Sequence, residues 1–239
     1  FHIDKELISE FSKIFQGSEE RVGILKGRKP DGKKNQWMED KPFDAEKHLN
    51  LQLLQGLEPT NGNGECKFAF VDVDQEVEKK EFCKNLFNLD SKAIPCESPS
   101  GRWHVFKTYN KWFPRQLIAK EAKALEEKLD KFYKVDKGKT LPYKGGYANL
   151  PYARFEKFDR KAYDPRGNPL SLKQFIHRAK FKNHPLIAAA VGMNELDGRH
   201  KTLFILALYC EHVLKDIKLL EEINNNFADP CSDADVERF

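Results

Sequence analysis

Apolar and polar positions alternate along this chain in two distinct periods. Residues 4–15 place Leu7, Ile8, Phe11, Ile14 and Phe15 at helical spacing, with Asp4 able to cap the start. Residues 26–42 are charged and broken by glycine and proline, which predicts a loop. A helix is expected over 44–56, from a capping Asp44 to a glycine stop at Gly56. After turn-rich residues 58–65, KFAFVDVD reads as a strand. A returning helix is expected over 76–89, a short strand over 93–96, a turn at 99–101 and a strong strand over 102–109. Residues 114–133 carry Leu117, Ile118, Ala122, Leu125, Leu129 and Phe132 and predict a long amphipathic helix. YKVD and GYANLPY then read as short strands around a basic loop.

After about residue 170 the texture turns helical. SLKQFIHRA has Ser171 as a candidate cap, residues 197–226 are apolar at helical period, and 229–239 open another helix at Ser232. The expected architecture is α/β (α+β), with one domain over 1–184 and a small all-helical domain over 185–239. The chain reads as an excerpt of a longer protein.

Composition changes this picture little. With 239 residues, 40% hydrophobic and 33% charged, the chain can bury a sizeable core. No apolar run approaches the roughly 18 residues needed to span a bilayer, and no secretory signal opens the chain. The five cysteines lie far apart with no CxxC, so zinc is not expected, and a reducing, cytoplasmic setting is. Net charge is +4, yet 131–160 alone holds eight basic and three acidic residues, a net +5. The basic excess is therefore concentrated there, interleaved with Tyr143, Tyr147, Tyr152 and Phe155, which can stack on the bases of a single-stranded nucleic acid or pack the core, core packing being the commoner fate of any one of them.

Three stretches carry candidate chemistry. On a strand, Asp72 and Asp74 share one face while Val71 and Val73 take the other. Two carboxylates on one face repel unless a cation lies between them, and hard divalent cations prefer such oxygens. In SPSGRWHVF, Arg102, His104 and Phe106 share a face, with Ser100 joining if the strand starts early, and together make an anion site. Asp136, after the short apolar run in FYKVD, is the candidate third acid.

These stretches in this order resemble the archaeo-eukaryotic primase superfamily, the primase-polymerases of phage, plasmid and conflict-system type. Val71-Asp72-Val73-Asp74 is similar to its acid pair, Ser100 to His104 to its second motif, and Val135-Asp136 to its third. GGYANLPY resembles the segment that follows, and DGRHKTLFILALYCEHV a helix of the small helical domain beyond it. The resemblance covers roughly 60–239.

It implies a catalytic domain with an RRM-like half, then a short helical domain. It further implies a DNA primase or polymerase that makes or extends primers on single-stranded DNA from nucleoside triphosphates. Asp72, Asp74 and Asp136 would hold two Mg²⁺ or Mn²⁺ ions. Ser100, Arg102 and His104 would hold the nucleotide phosphates, with Lys144 or Lys139 adding positive charge and Asn149 reaching sugar or phosphate. A helicase, fused or separate, is a further expected partner, and a phage or plasmid the expected source. A two-metal nuclease and a non-catalytic single-stranded nucleic-acid-binding module are the competing expectations.

Overall fold

The computed structural model describes residues 3–50, 53–143, 145–153 and 159–181, together with positions 207 and 224. The chain divides into two compact units, Phe1–Leu172 and Lys173–Phe239. The expected boundary at 184/185 lies outside the described residues. So does nearly all of the helical tail expected over 197–239.

The first unit mixes helices with two antiparallel sheets, an α+β arrangement. Its helix α1 (Lys5–Ile14) is capped as expected, the Asp4 carboxylate accepting from the Glu6 N–H at 2.9 Å. A hairpin follows, β1 (Val22–Arg28) and β2 (Lys34–Glu39), where the sequence pattern had suggested loop. Two-period alternation is absent there because the hairpin's outer half is exposed and needs no apolar face. The expected helix over 44–56 is also shorter than its pattern. Among the described residues of that stretch only α2 (Ala45–Leu49) is helical, and Leu54–Leu57 forms β3. Gly56 ends no helix. It lies opposite Gly23 in the β1–β3 register, and the Tyr147 ring packs onto both glycines, so close that a Cβ at either would sit 2.5 Å from a ring carbon. Cross-strand glycines thus make the seat for an aromatic ring.

The second sheet has the order β4-β6-β5, from β4 (Glu65–Val73), β5 (Ile94–Glu97) and β6 (Trp103–Pro114). Helices α3 (Lys79–Leu89) and α4 (Arg115–Leu129) cover one face. Val71, Val73, Trp103 and Val105 from that face pack with Phe82 and Leu86 of α3 and Leu125 and Leu129 of α4. Phe82 stacks on Trp103 with ring centroids 4.7 Å apart. The opposite face carries Phe68, Phe70 and Phe106, and Phe15 at the end of α1 meets Phe68 and Phe106 edge-on at 5.3 and 5.4 Å. The period of two in FAFVDVD is therefore read out physically, with valines into the helix-covered core and Phe70 and Asp72 onto the other side. Ala148–Asn149 forms β7, completing the first sheet in the order β2-β1-β3-β7, and α5 (Leu172–Phe181) follows.

Candidate active site

Asp72 is the penultimate residue of β4, between the buried Val71 and Val73, and its direct partner across the ladder is His104 of β6. One step further along the same face, Arg102 forms an ion pair with Asp74. Asp136 arrives from a different part of the chain. Val135 bridges Val73, the Asp136 N–H donates to the Asp72 carbonyl at 2.9 Å, and the Asp74 N–H donates to the Lys134 carbonyl at 2.8 Å. This edge pairing sets Asp136 beside Asp72, with main-chain atoms alone fixing the register. One acid distant in sequence is thereby brought alongside the Asp72–Asp74 pair at the end of β4.

Two cations of the chain itself answer them. Lys139 Nζ lies 3.2 Å from Asp72 Oδ2 and 2.7 Å from Asp136 Oδ2, bridging the two carboxylates. It is aimed there by a 3₁₀ turn over Lys137–Lys139, which the Asp136 carboxylate caps by accepting from the Gly138 N–H at 3.2 Å. Arg102 answers Asp74. With these ion pairs made, no three acidic, histidine or cysteine side chains converge on a common point among the described residues.

The electrostatics follow from burial. Asp72 is mostly buried, and desolvation raises its pKa, helped by Asp136 and Asp74 and opposed by Lys139. Asp136 is more open, and its bond to Lys139 holds its carboxyl below the usual range. Burial pulls the Lys139 ammonium down, but its bonds to Asp136 and Asp72 outweigh that and raise it. His104 is buried, 4.8 Å edge-on to Phe70, with Nε2 3.8 Å from Asp72 Oδ1. Desolvation, reinforced by Arg160, Lys34 and Lys139, puts its pKa well below 6.5, so the ring is neutral near pH 7.

The donor set suits a hard divalent cation. It is carboxylate only, and Asp72 and Asp136 already grip a cation, the Lys139 ammonium, between them.

The other expected residues lie as follows. Ser100 occupies the turn before β6, where Ser98 Oγ accepts from the Ser100 and Arg102 N–H groups at 3.2 and 3.0 Å. That turn delivers Arg102 to the start of the strand. Asn149 of β7 pairs with Gly56, and its carbonyl accepts from Arg160 Nη2 at 2.7 Å. Lys144 lies outside the described residues.

Three cations were not legible in the motifs. Arg160 is fully buried, its guanidinium donating to the Asn149 and Leu150 carbonyls. Lys34 and Arg28 come from the β1–β2 hairpin, and Lys34 lies within electrostatic reach of Asp72, Lys139 and Arg160. Four buried polar atoms at or flanking this region find no hydrogen-bond partner among the described residues: His104 Nδ1, Asn149 Oδ1, Arg160 Nε and Thr140 Oγ1. Native interiors leave few such atoms, and those that remain call for an explanation.

Among the described residues no helix is long and apolar enough to cross a membrane. No family model matches the chain, and no curated protein matches it. Among solved structures the chain is similar to one titled "Crystal structure of primase RepB'", at 13% identity and a TM-score of 0.39, over 98% of this chain and 91% of that one. That likeness lies below the level at which fold or activity transfers from one chain to another.

Proposed function

We propose that the chain is a metal-dependent nucleotidyltransferase of the primase-polymerase kind, which synthesises or extends primers on a single-stranded DNA template from nucleoside triphosphates. The observation that carries this reading is the joining of Asp136 to Asp72 and Asp74 at one sheet edge, beside a group of cations. Acids alone would serve any phosphodiester chemistry. Acids in contact with Lys139 and Arg102, with Lys34 within electrostatic reach of Asp72, suit a substrate with more negative charge than one diester carries.

Asp72, Asp74 and Asp136 would hold two Mg²⁺ or Mn²⁺ ions, which when bound supply activation of a 3′-hydroxyl and neutralisation of the leaving pyrophosphate. Everything else falls to the chain. Arg102, now on Asp74, exchanges that carboxylate for a phosphate oxygen, which its planar fork suits equally well. Neutral His104 packs against Phe70 and braces Asp72 from the neighbouring strand. Lys139, released from the acids, is long enough to follow the negative charge of the phosphates.

The test is nucleotide incorporation on single-stranded DNA in Mg²⁺ or Mn²⁺, with and without a primer, against an Asp72→Ala/Asp74→Ala control. Products that need metal and vanish in the control support the reading, and products without a primer make the chain a primase. Shortening of the input DNA, with no extension, would instead make it a nuclease.

A further inference from the structure

The helical period over 114–133 puts Phe132 on the apolar face of α4, but the helix ends at Leu129 and the ring turns out to solvent. The cause lies in its neighbours. Tyr133 and Val135 both join the core that α3 and α4 cover. The Tyr133 ring meets Phe82 edge-on at 5.1 Å, and its hydroxyl accepts from Asn85 Nδ2 at 2.9 Å. With these two side chains held inward, Phe132 and Lys134 are exposed and Asp136 is half-buried, all three on the outward side of the segment.

Phe132 is 63% exposed, the largest fraction of any large apolar side chain among the described residues. A lone exposed aromatic carries no meaning by itself. This one stands between cations at the rim of the acid site. Lys131 is exposed on one side of it. On the other, Lys134 is 76% exposed, with Nζ 4.0 Å from Asp74 Oδ2. The main chain fixes Lys134 at this place, its N–H donating to Gln75 Oε1 at 2.8 Å and its carbonyl accepting from the Asp74 N–H at 2.8 Å. Two residues of extended chain span at most about 7 Å, so Phe132 stands within about 7 Å of Lys134 and about 14 Å of Asp136, measured along the backbone.

A protein partner would want an apolar patch of several side chains. Phe132 is instead ringed by charge, including the Lys137–Asp130 ion pair at 2.6 Å. A flat ring among ammonium groups suits a flexible polyanion that carries flat apolar faces of its own, which is the chemistry of single-stranded nucleic acid.

We propose that Phe132 and Lys134 are the point at which the single-stranded DNA template meets the acid site, Phe132 stacking on one base and Lys134 holding a phosphate. That the strand is a template rests on the nucleotidyltransferase reading, whereas the binding of a strand does not. Stacking on an aromatic ring accepts every base, as a template of arbitrary sequence requires.

The experiment measures, by fluorescence anisotropy and without nucleotide, binding of the full chain to a labelled oligodeoxythymidine and to the same oligomer with abasic sites in place of its bases. The variants are Phe132→Ala, Phe132→Trp, Lys134→Met and, as a control, Leu117→Ala. Leu117 is also exposed, at 45%, but lies at the other end of α4, about 18 Å of helix away. Phe132→Ala should weaken oligothymidine binding about 10-fold and abasic binding by less than about twofold, while Phe132→Trp keeps both. Lys134→Met should weaken both oligomers and lower the salt slope by about 0.7, the share of one phosphate. Leu117→Ala should bind as the wild type does. Phe132→Ala binding that equals wild type, or that falls equally on both oligomers, overturns the proposal, as does an equal loss in Leu117→Ala. A wild type that self-associates through Phe132, with DNA binding unchanged in Phe132→Ala, assigns the ring to a second copy of the chain and overturns it too. Strand binding that depends on Phe132 without any nucleotide incorporation keeps this surface and removes the nucleotidyltransferase reading. Incorporation with binding indifferent to Phe132 does the reverse.

Discussion

Replacing Lys139 with methionine should tighten divalent-metal binding. The ammonium sits 3.2 Å from Asp72 and 2.7 Å from Asp136, so a metal entering between those carboxylates must displace it or bind beside it. Two unit charges 4 Å apart interact by about 1 kcal/mol in water and about 4 kcal/mol at an effective dielectric constant near 20. The Lys139 side chain is 58% exposed, so the lower figure is nearer the mark. A divalent ion doubles it to about 2 kcal/mol, which corresponds to roughly 30-fold in affinity. Methionine keeps most of the side chain's length and removes only the charge. The assay is titration of Mn²⁺ without nucleotide, with free Mn²⁺ read by electron paramagnetic resonance. Lys139→Met should bind on the order of 10- to 30-fold more tightly than wild type. Asp72→Asn should bind more weakly than either. Equal or weaker binding by Lys139→Met would refute the idea that this lysine and a metal contend for the same carboxylates.

Other consequences can be checked directly. His48 is fully buried, accepting from the Gln55 N–H at Nδ1 and lying 2.8 Å from the Pro151 carbonyl at Nε2, and burial above all lowers its pKa to about 3. The unfolded chain therefore takes up this proton first, so stability falls as pH drops below about 6.5 and levels off only near 3. Between pH 7 and 5 the loss is about 2 kcal/mol, read by urea unfolding, and His48→Gln should lack that share of the pH dependence. Gly23→Ala and Gly56→Ala should each destabilise by about 1–3 kcal/mol through collision with Tyr147. The loss should shrink when Tyr147 is also made alanine, and additive effects would mean the ring is not the cause. Arg102→Ala should raise the apparent KM for nucleotide about 10-fold with folding intact, and unchanged nucleotide kinetics would remove Arg102 from the phosphate site.

What could be read from sequence divides along a physical line. α3 and α4 were legible because each buries one face at helical period, and β4 and β6 because each is a run rich in aromatic and β-branched residues buried on both faces. Ile118, Ala122, Leu125 and Leu129 mark α4 this way, and Phe70, Val71, Asp72 and Val73 mark β4. The β1–β2 hairpin was missed because its outer half is solvated, although Pro30-Asp31-Gly32 is a turn signal. β3 was mistaken for helix because LQLLQGL satisfies both periods in so short a run, and the reason for Gly56 lies nearly a hundred residues away in Tyr147. The acids were named from local pattern. That Lys139 would bridge two of them, and that Lys34 and Arg160 would stand nearby, depends on tertiary approach and leaves no mark in any single stretch.

The segment that delivers Asp136 is docked onto β4 at two points. One is the pairing of 134–136 with 72–74, and the other is the reciprocal pair of main-chain hydrogen bonds between Leu141 and Phe70, at 2.8 and 3.2 Å. Between these anchors, residues 137–140 form a short excursion whose ends are both held by backbone atoms. Strand pairing thus fixes the main chain of Asp136, while the loop itself holds its carboxylate through the Gly138 N–H and Lys139. Alterations at Val135 or Leu141 would unpin one end.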